Sequence, residues 1–125
     1  MKENDVKTEM PVPVCEHADG AVRDMEAAIA ARPDGRVVER MCEWFHCLAD
    51  PTRMRILLLL FHGEACVCEI SGALGMTLSA ISHQLRLLRA AALVGARREG
   101  KSMIYFLADD HVRTVIGNAA AHAVE

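Results

Sequence analysis

Cysteine and histidine are the residues of this chain best suited to chemistry, and their spacing limits what that chemistry can be. Cys66 and Cys68 stand two apart in Cys66-Val67-Cys68. Two thiols at i, i+2 leave a regular helix on different faces, so a shared metal ion requires an irregular turn and at least one further ligand. Near the end of the chain, Asp109 and His111 precede His122 and Glu125. On a helix the two histidines would lie within about 20° of whole turns and about 16 Å apart along the axis. They share a face but cannot grip one ion within a single helix. An antiparallel second helix would bring the Asp109/His111 end of one against the His122/Glu125 end of the other. Two imidazoles and two carboxylates form a set that suits Zn²⁺. The same residues also read as a capped helix with two surface histidines. Cys42 and His46, at i, i+4, could share an ion. Beside Trp44 and Phe45 they read, with Cys47, as core or dimer interface. Met41, Met54 and Met103 read as core filler. No nucleophile elbow or phosphate loop is present, and no Cys-x-x-Cys accompanies a parallel-sheet pattern, so an enzyme is not expected.

The elements that must position these groups belong to a chain of 125 residues, 52% hydrophobic and 25% charged. That suffices for one domain with a modest core. Aromatics are only 4%, so aliphatic side chains and Met must build the core, which favours packed helices. Met1-Lys2-Glu3-Asn4-Asp5 has no apolar signal region. The longest strongly apolar run, Ile56 to Phe61, is far short of the roughly 20 residues that span a bilayer. A soluble cytoplasmic protein with no membrane association is expected, and its five cysteines then read as thiols and not as disulfides.

Residues 1–20, with Pro11, Pro13 and Gly20, are expected to form a flexible tail, and residues 21–125 the folded domain. Helices are predicted over about 21–32, closed by Pro33-Asp34-Gly35, and over about 37–48. Asp50 caps a third helix with Pro51 at its first position, which runs to Phe61 with Gly63 as its stop. A short helix over 66–74 ends at Gly75, and another, capped by Thr77 or Ser79, reaches about Ala92. Leu93–Arg98 and Ser102–Leu107 flank Glu99-Gly100-Lys101 as a β-hairpin. Asp109 opens a last helix to the C-terminus.

Charge is distributed unevenly along this order. The chain carries a net charge of −3, yet residues 77–107 hold Arg86, Arg89, Arg97, Arg98 and Lys101 against Glu99 alone. Two short helices around a Gly-containing turn, followed by a basic hairpin, follow the order of a winged helix-turn-helix. In the second helix Leu78, Ile81, Leu85 and Leu88 fall on one face. Ser79, Ser82, His83, Gln84, Arg86 and Arg89 carry the groups that read base edges and phosphates in a major groove. Alone, that helix also reads as an exposed amphipathic helix; the hairpin with Arg97, Arg98 and Lys101 favours DNA.

Leu48-Ala49-Asp50-Pro51-Thr52-Arg53, Cys66-Val67-Cys68 and Ser82-His83-Gln84-Leu85-Arg86 together resemble the ArsR/SmtB metal-sensing repressors over roughly residues 37–125. The resemblance implies a mainly α winged helix-turn-helix with a small β-hairpin, dimeric through a long C-terminal helix. It implies a homodimer that binds double-stranded operator DNA and leaves it when Zn²⁺, Cd²⁺ or Pb²⁺ binds, with no small organic substrate. Asp109, His111, His122 and Glu125 match the family's C-terminal-helix zinc site residue by residue. In the cadmium- and lead-sensing members, thiols of an N-terminal tail complete the site at the Cys66/Cys68 position. Here the tail offers Cys15, with His17 two residues on, where the pattern has a pair of cysteines. Three thiolates suit Cd²⁺ or Pb²⁺, and addition of His17 would suit Zn²⁺. Three other readings compete: an arsenite sensor of the same fold using Cys66, Cys68 and a third thiol, a thiol redox enzyme, and a metal-buffering module that binds no DNA. A three-thiol arsenite site has no use for the C-terminal His/carboxylate set.

Overall fold

The computed structural model describes residues 25–125; residues 1–24, among them Cys15, His17 and the expected tail, lie outside the described residues. The chain divides into two units, 1–33 and 34–125. The first contributes one described element, α1 (Met25–Ala31). The second runs α2 (Gly35–Leu48), α3 (Pro51–His62), β1 (Ala65–Cys66), α4 (Val67–Leu74), α5 (Leu78–Ala90), β2 (Val94–Glu99), β3 (Ser102–Leu107) and α6 (Asp110–Ala123). It is mainly helical, with one antiparallel sheet of order β1-β3-β2.

Local chemistry sets most of these boundaries. The Asp34 carboxylate accepts from the backbone N–H of Arg36 and Val37 at 2.9 and 3.2 Å. The Pro33-Asp34-Gly35 turn therefore opens α2 by satisfying its orphan donors. Asp50 accepts from the Arg53 N–H at 2.9 Å, and Pro51 sits where a helix needs no N–H. Gly63 ends α3 as expected, its backbone extended at φ 174°. Gly75 ends α4 in the left-handed region at φ 66°, where glycine carries no steric penalty. Thr77, and not Ser79, caps α5, accepting from the Ala80 N–H at 3.1 Å. Between α4 and α5 the Ser71 hydroxyl donates to the Met76 carbonyl, closing the turn that sets the angle of the two helices.

The core of this unit is aliphatic. Ile56, Leu57 and Leu60 of α3 meet Ile70 of α4, Ile81, Leu85 and Leu88 of α5, Leu93 and Val94, Leu107, and Val112 and Ile116 of α6. No polar side chain is buried among the described residues, as an interior without partners for polar groups requires. Leu78, at the first position of α5, is 52% exposed; it shares the face of Ile81 and Leu85 but lies beyond the core beneath them. Strand β1 has no counterpart in the sequence reading. Two residues are too short to show a period, and their pairing is entirely tertiary: Ala65 opposite Tyr105 and Cys66 opposite Ile104.

Candidate nucleic-acid interface and metal-ligand clusters

Burial of Ile81, Leu85 and Leu88 turns the opposite side of α5 outward. Ser79, His83, Arg86 and Arg89 are exposed, and Ser82 and Gln84 are half-buried at its edges. Ser82, Arg86 and Arg89 form an i, i+4, i+7 row that, with Tyr105 of β3, lines an open cleft of about 460 Å³. Two guanidinium groups in a cleft between helix and hairpin suit a phosphate backbone.

The cations of the hairpin are not equivalent. The Arg97 guanidinium lies 2.6 Å from Glu64 and 2.7 Å from Glu99, and 5.7 Å from the centre of the Phe106 ring. The hydrogen bond from Arg97 holds the Glu64 carboxyl below its usual range, and the two carboxylates push Arg97 further up. Exposed pairs of this kind add little stability, but they fix where the side chain points. Arg98 and Lys101 are exposed and make no ion pair with another described residue. We predict that Arg98→Ala or Lys101→Ala lowers the slope of log affinity against log salt by about one unit, as loss of one phosphate contact does. Arg97→Ala should change the slope less. An equal change for Arg97→Ala, in binding isotherms across a salt series, would show that its ion pairs open on DNA.

Cys66 ends β1 and occupies the N-cap position of α4 at φ −91°, ψ 169°, with its N–H donating to Glu69 at 2.9 Å. Cys68 is exposed in the first turn of the same helix. The pair thus sits at a strand-to-helix junction and not within a regular helix. Among the described residues, no group of three or more His, Cys, Asp and Glu side chains is placed to hold a metal ion. Cys15 and His17, the expected further ligands, fall among the undescribed residues.

The α6 clusters lie at its two ends. Asp109 is the N-cap, accepting from the Val112 N–H at 3.0 Å, and that hydrogen bond, with His111 nearby, holds its carboxyl below the usual range. The cap is therefore fully present above the ordinary carboxylate pKa and is lost as pH falls through the lowered value. His111 Nδ1 is 3.7 Å from Asp109 Oδ1, and its side chain is 94% exposed. At the other end His122 Nδ1 is 3.8 Å from Glu125 Oε1, with the imidazole 87% exposed. Each end offers one nitrogen and one carboxylate to solvent, half of a four-donor N/O set. Two residues beyond His111, Arg113 donates to the Phe61 carbonyl at 2.8 Å and stacks over the Phe61 ring at 5.1 Å, tying α6 to the end of α3.

On α2, Val37, Trp44, Cys47 and Leu48 turn inward while Val38, Met41 and Phe45 are 42%, 48% and 52% exposed. Met41 is therefore not core filler: it stands on a second apolar stripe at helical spacing. Met54 packs against the core, as does Cys47, whereas Cys42 and His46 are exposed.

Sequence reasoning missed Arg53, Glu64 and Tyr105. Their partners Gln84, Arg97 and the α5 row lie far away in sequence, so no local period signals them.

Two helices joined by a tight turn, the second followed by an antiparallel hairpin, define a winged helix-turn-helix DNA-binding domain. The description "Bacterial regulatory protein, arsR family" matches residues 50–95. The transcriptional repressor SmtB homolog of a Synechocystis strain is 44% identical over 87 residues, covering 70% of this chain and 66% of that protein. The regulator NmtR of Mycobacterium tuberculosis is 38% identical, covering 72% and 75%. The cadmium resistance regulatory protein CadC homolog of Staphylococcus aureus is 37% identical, covering 65% and 68%. The homodimeric winged helix-turn-helix domain Mb0332 of Mycobacterium bovis superposes with a TM-score of 0.68 at 32% identity, covering 83% of this chain and 89% of that one. The chain belongs to the arsR family of bacterial regulatory proteins. It is a DNA-binding regulator and not an enzyme, which removes the thiol redox alternative. No helix among the described residues is long and apolar enough to cross a membrane.

Proposed function

We propose that this protein is a cytoplasmic metal-responsive repressor that binds operator DNA as a homodimer and is released by Zn²⁺, Cd²⁺ or Pb²⁺, controlling metal efflux or detoxification genes. The observation that carries the reading is α6. Both its ends expose a nitrogen–carboxylate pair that a second copy would complete, and the same helix is bound to α3 through Arg113. The relative named as a cadmium resistance regulatory protein supports a metal as effector, and the relative named as a transcriptional repressor supports repression. In this reading Asp109 and His111 of one protomer and His122 and Glu125 of its partner hold Zn²⁺. Cys66 and Cys68, with Cys15 and either His17 or water, hold Cd²⁺ or Pb²⁺, residues 1–20 serving as the ligand-bearing tail of a domain over 21–125. The exposed Val38, Met41 and Phe45 stripe suits the dimer contact. Ser79, Ser82, His83, Gln84, Arg86 and Arg89 face the DNA from α5, Arg98 and Lys101 reach the phosphate backbone, and Arg97 reaches it only where its ion pairs with Glu64 and Glu99 open.

Bound metal would supply the cross-link between protomers; the protein's own part is linkage. An ion that binds one dimer conformation better shifts the population toward it, and DNA must weaken metal binding by the same factor. A coupling of about 1–3 kcal/mol is typical, a 5- to 150-fold loss of operator affinity. An arsenite sensor would leave the α6 clusters without a role.

The test is titration of the reduced protein with Cd²⁺ and Zn²⁺, reading thiolate absorbance and DNA affinity in parallel. Cd²⁺ should give ultraviolet thiolate absorbance that falls in Cys66→Ser and Cys68→Ser, and falls less in Cys15→Ser. Equal absorbance in the Cys66/Cys68 double variant would remove the thiol site, and DNA affinity unchanged by either ion would remove metal as the effector.

A further inference from the structure

We propose that the cleft between α5 and β3 seats one DNA backbone phosphate, and that the Tyr105 hydroxyl donates to the phosphate that Arg86 and Arg89 attract. The inference rests on the reading of α5 and the hairpin as the DNA-binding surface, and adds to it a neutral donor that no charge pattern signals. Ser82, Arg86, Arg89 and Tyr105 line the cleft, and no carboxylate borders it. Arg86 and Arg89 are exposed and make no ion pair with another described residue. Two guanidinium groups that nothing neutralises, at one concave site, concentrate anions. Their planar donors match the oxygens of a phosphate.

Tyr105 forms the opposite wall. It lies on β3, the central strand of the sheet, opposite Ala65 of β1 and Ala96 of β2. Directly opposed residues share one face of a sheet, and two methyl groups leave the ring uncovered by its neighbours. The same alternation puts Tyr105 on the face of Leu107, which is buried, and its half-buried side chain packs against the core. A tyrosine placed in this way keeps its polar tip within reach of a partner or of water. The Tyr105 hydroxyl makes no hydrogen bond with another described residue. It therefore meets solvent, and the open space that Tyr105 borders is the cleft. There it can donate its proton to an anionic oxygen, while the core holds the ring and so fixes where the hydroxyl stands.

The experiment uses the full-length protein and a duplex that it enriches from a randomised library. Affinity is measured across a salt series for wild type, Tyr105→Phe and the double variant Arg86→Ala/Arg89→Ala. It is then measured with a single neutral methylphosphonate linkage at each backbone position of the duplex in turn. Tyr105→Phe keeps the ring and removes one donor. Its thermal midpoint should not move, while its affinity should fall by about 10-fold, as loss of a hydrogen bond to a charged group does. Its salt slope should stay that of wild type, because a neutral donor displaces no counterion. The arginine double variant should flatten the slope by about one unit or more. One methylphosphonate position in each half-site should weaken wild type, and at that position Tyr105→Phe should add no further loss. The arginine double variant should lose its sensitivity at the same position. Wild-type affinity in Tyr105→Phe, a midpoint that falls with its affinity, or different positions for the tyrosine and arginine effects overturns the proposal. Failure of wild type to enrich any duplex overturns the DNA-binding reading itself, and this proposal with it.

Discussion

Mixing His111→Ala chains with His122→Ala chains is expected to restore zinc binding that neither variant shows alone. The two histidines sit at opposite ends of α6, each beside its own carboxylate at 3.7 and 3.8 Å. A helix of 14 residues holds its ends about 20 Å apart, far beyond the roughly 2 Å of a zinc–nitrogen bond. Completion must come from a second protomer. In a twofold pair of antiparallel α6 helices, each homodimeric variant loses one ligand from both sites. The heterodimer concentrates both losses in one site and leaves the other whole. It should bind one Zn²⁺ per dimer at wild-type affinity, while loss of a single first ligand costs each homodimer orders of magnitude. Protonation of the imidazoles competes with the metal, so affinity should fall on acidification. A heterodimer that binds zinc no better than either homodimer, by competition with a chromophoric chelator, would sink the intersubunit geometry.

Leu85→Ala should be among the most damaging single changes in α5, although Leu85 touches neither DNA nor metal in this reading. Its side chain is fully buried among Ile56, Leu57, Ile81 and Leu88 in the aliphatic cluster. Truncation of such a leucine costs about 2–5 kcal/mol through lost burial and the cavity left behind. A domain of this size has only about 5–15 kcal/mol in all, and each kcal/mol moves the midpoint by roughly 4–8 °C. The thermal midpoint should fall by about 10 °C or more, measured at matched protomer concentration because the dimer makes it concentration-dependent. His83→Ala, on the exposed side of the same helix, should leave the stability within about 0.5 kcal/mol of wild type and weaken DNA binding. Similar midpoints for the two variants would show that the inward face of α5 is misassigned.

The sequence by itself determined what short range can determine. Asp50 and Pro51 announce the start of α3, Gly75 and Thr77 the turn before α5, and Gly100 the hairpin, because caps and turns depend on groups within a few residues of each other. The spacing of Ile81, Leu85 and Leu88 marks the buried face of α5 and so its outward side chains. The separation of His111 and His122 already excludes one ion held by both within a single helix, since helical rise is a constant. Only the tertiary structure decided which of those outward groups are free. Arg97, one of three basic residues in the hairpin, is taken by Glu64 and Glu99, and Gln84 is turned by Arg53. Strand β1, which places Cys66 in the same sheet as the hairpin, is two residues long. Contacts such as Arg53–Gln84 and Glu64–Arg97 join residues more than 30 apart. A local period records burial, but a charged or amide side chain chooses its partner only after the chain has folded and brought the candidates within a hydrogen bond's reach.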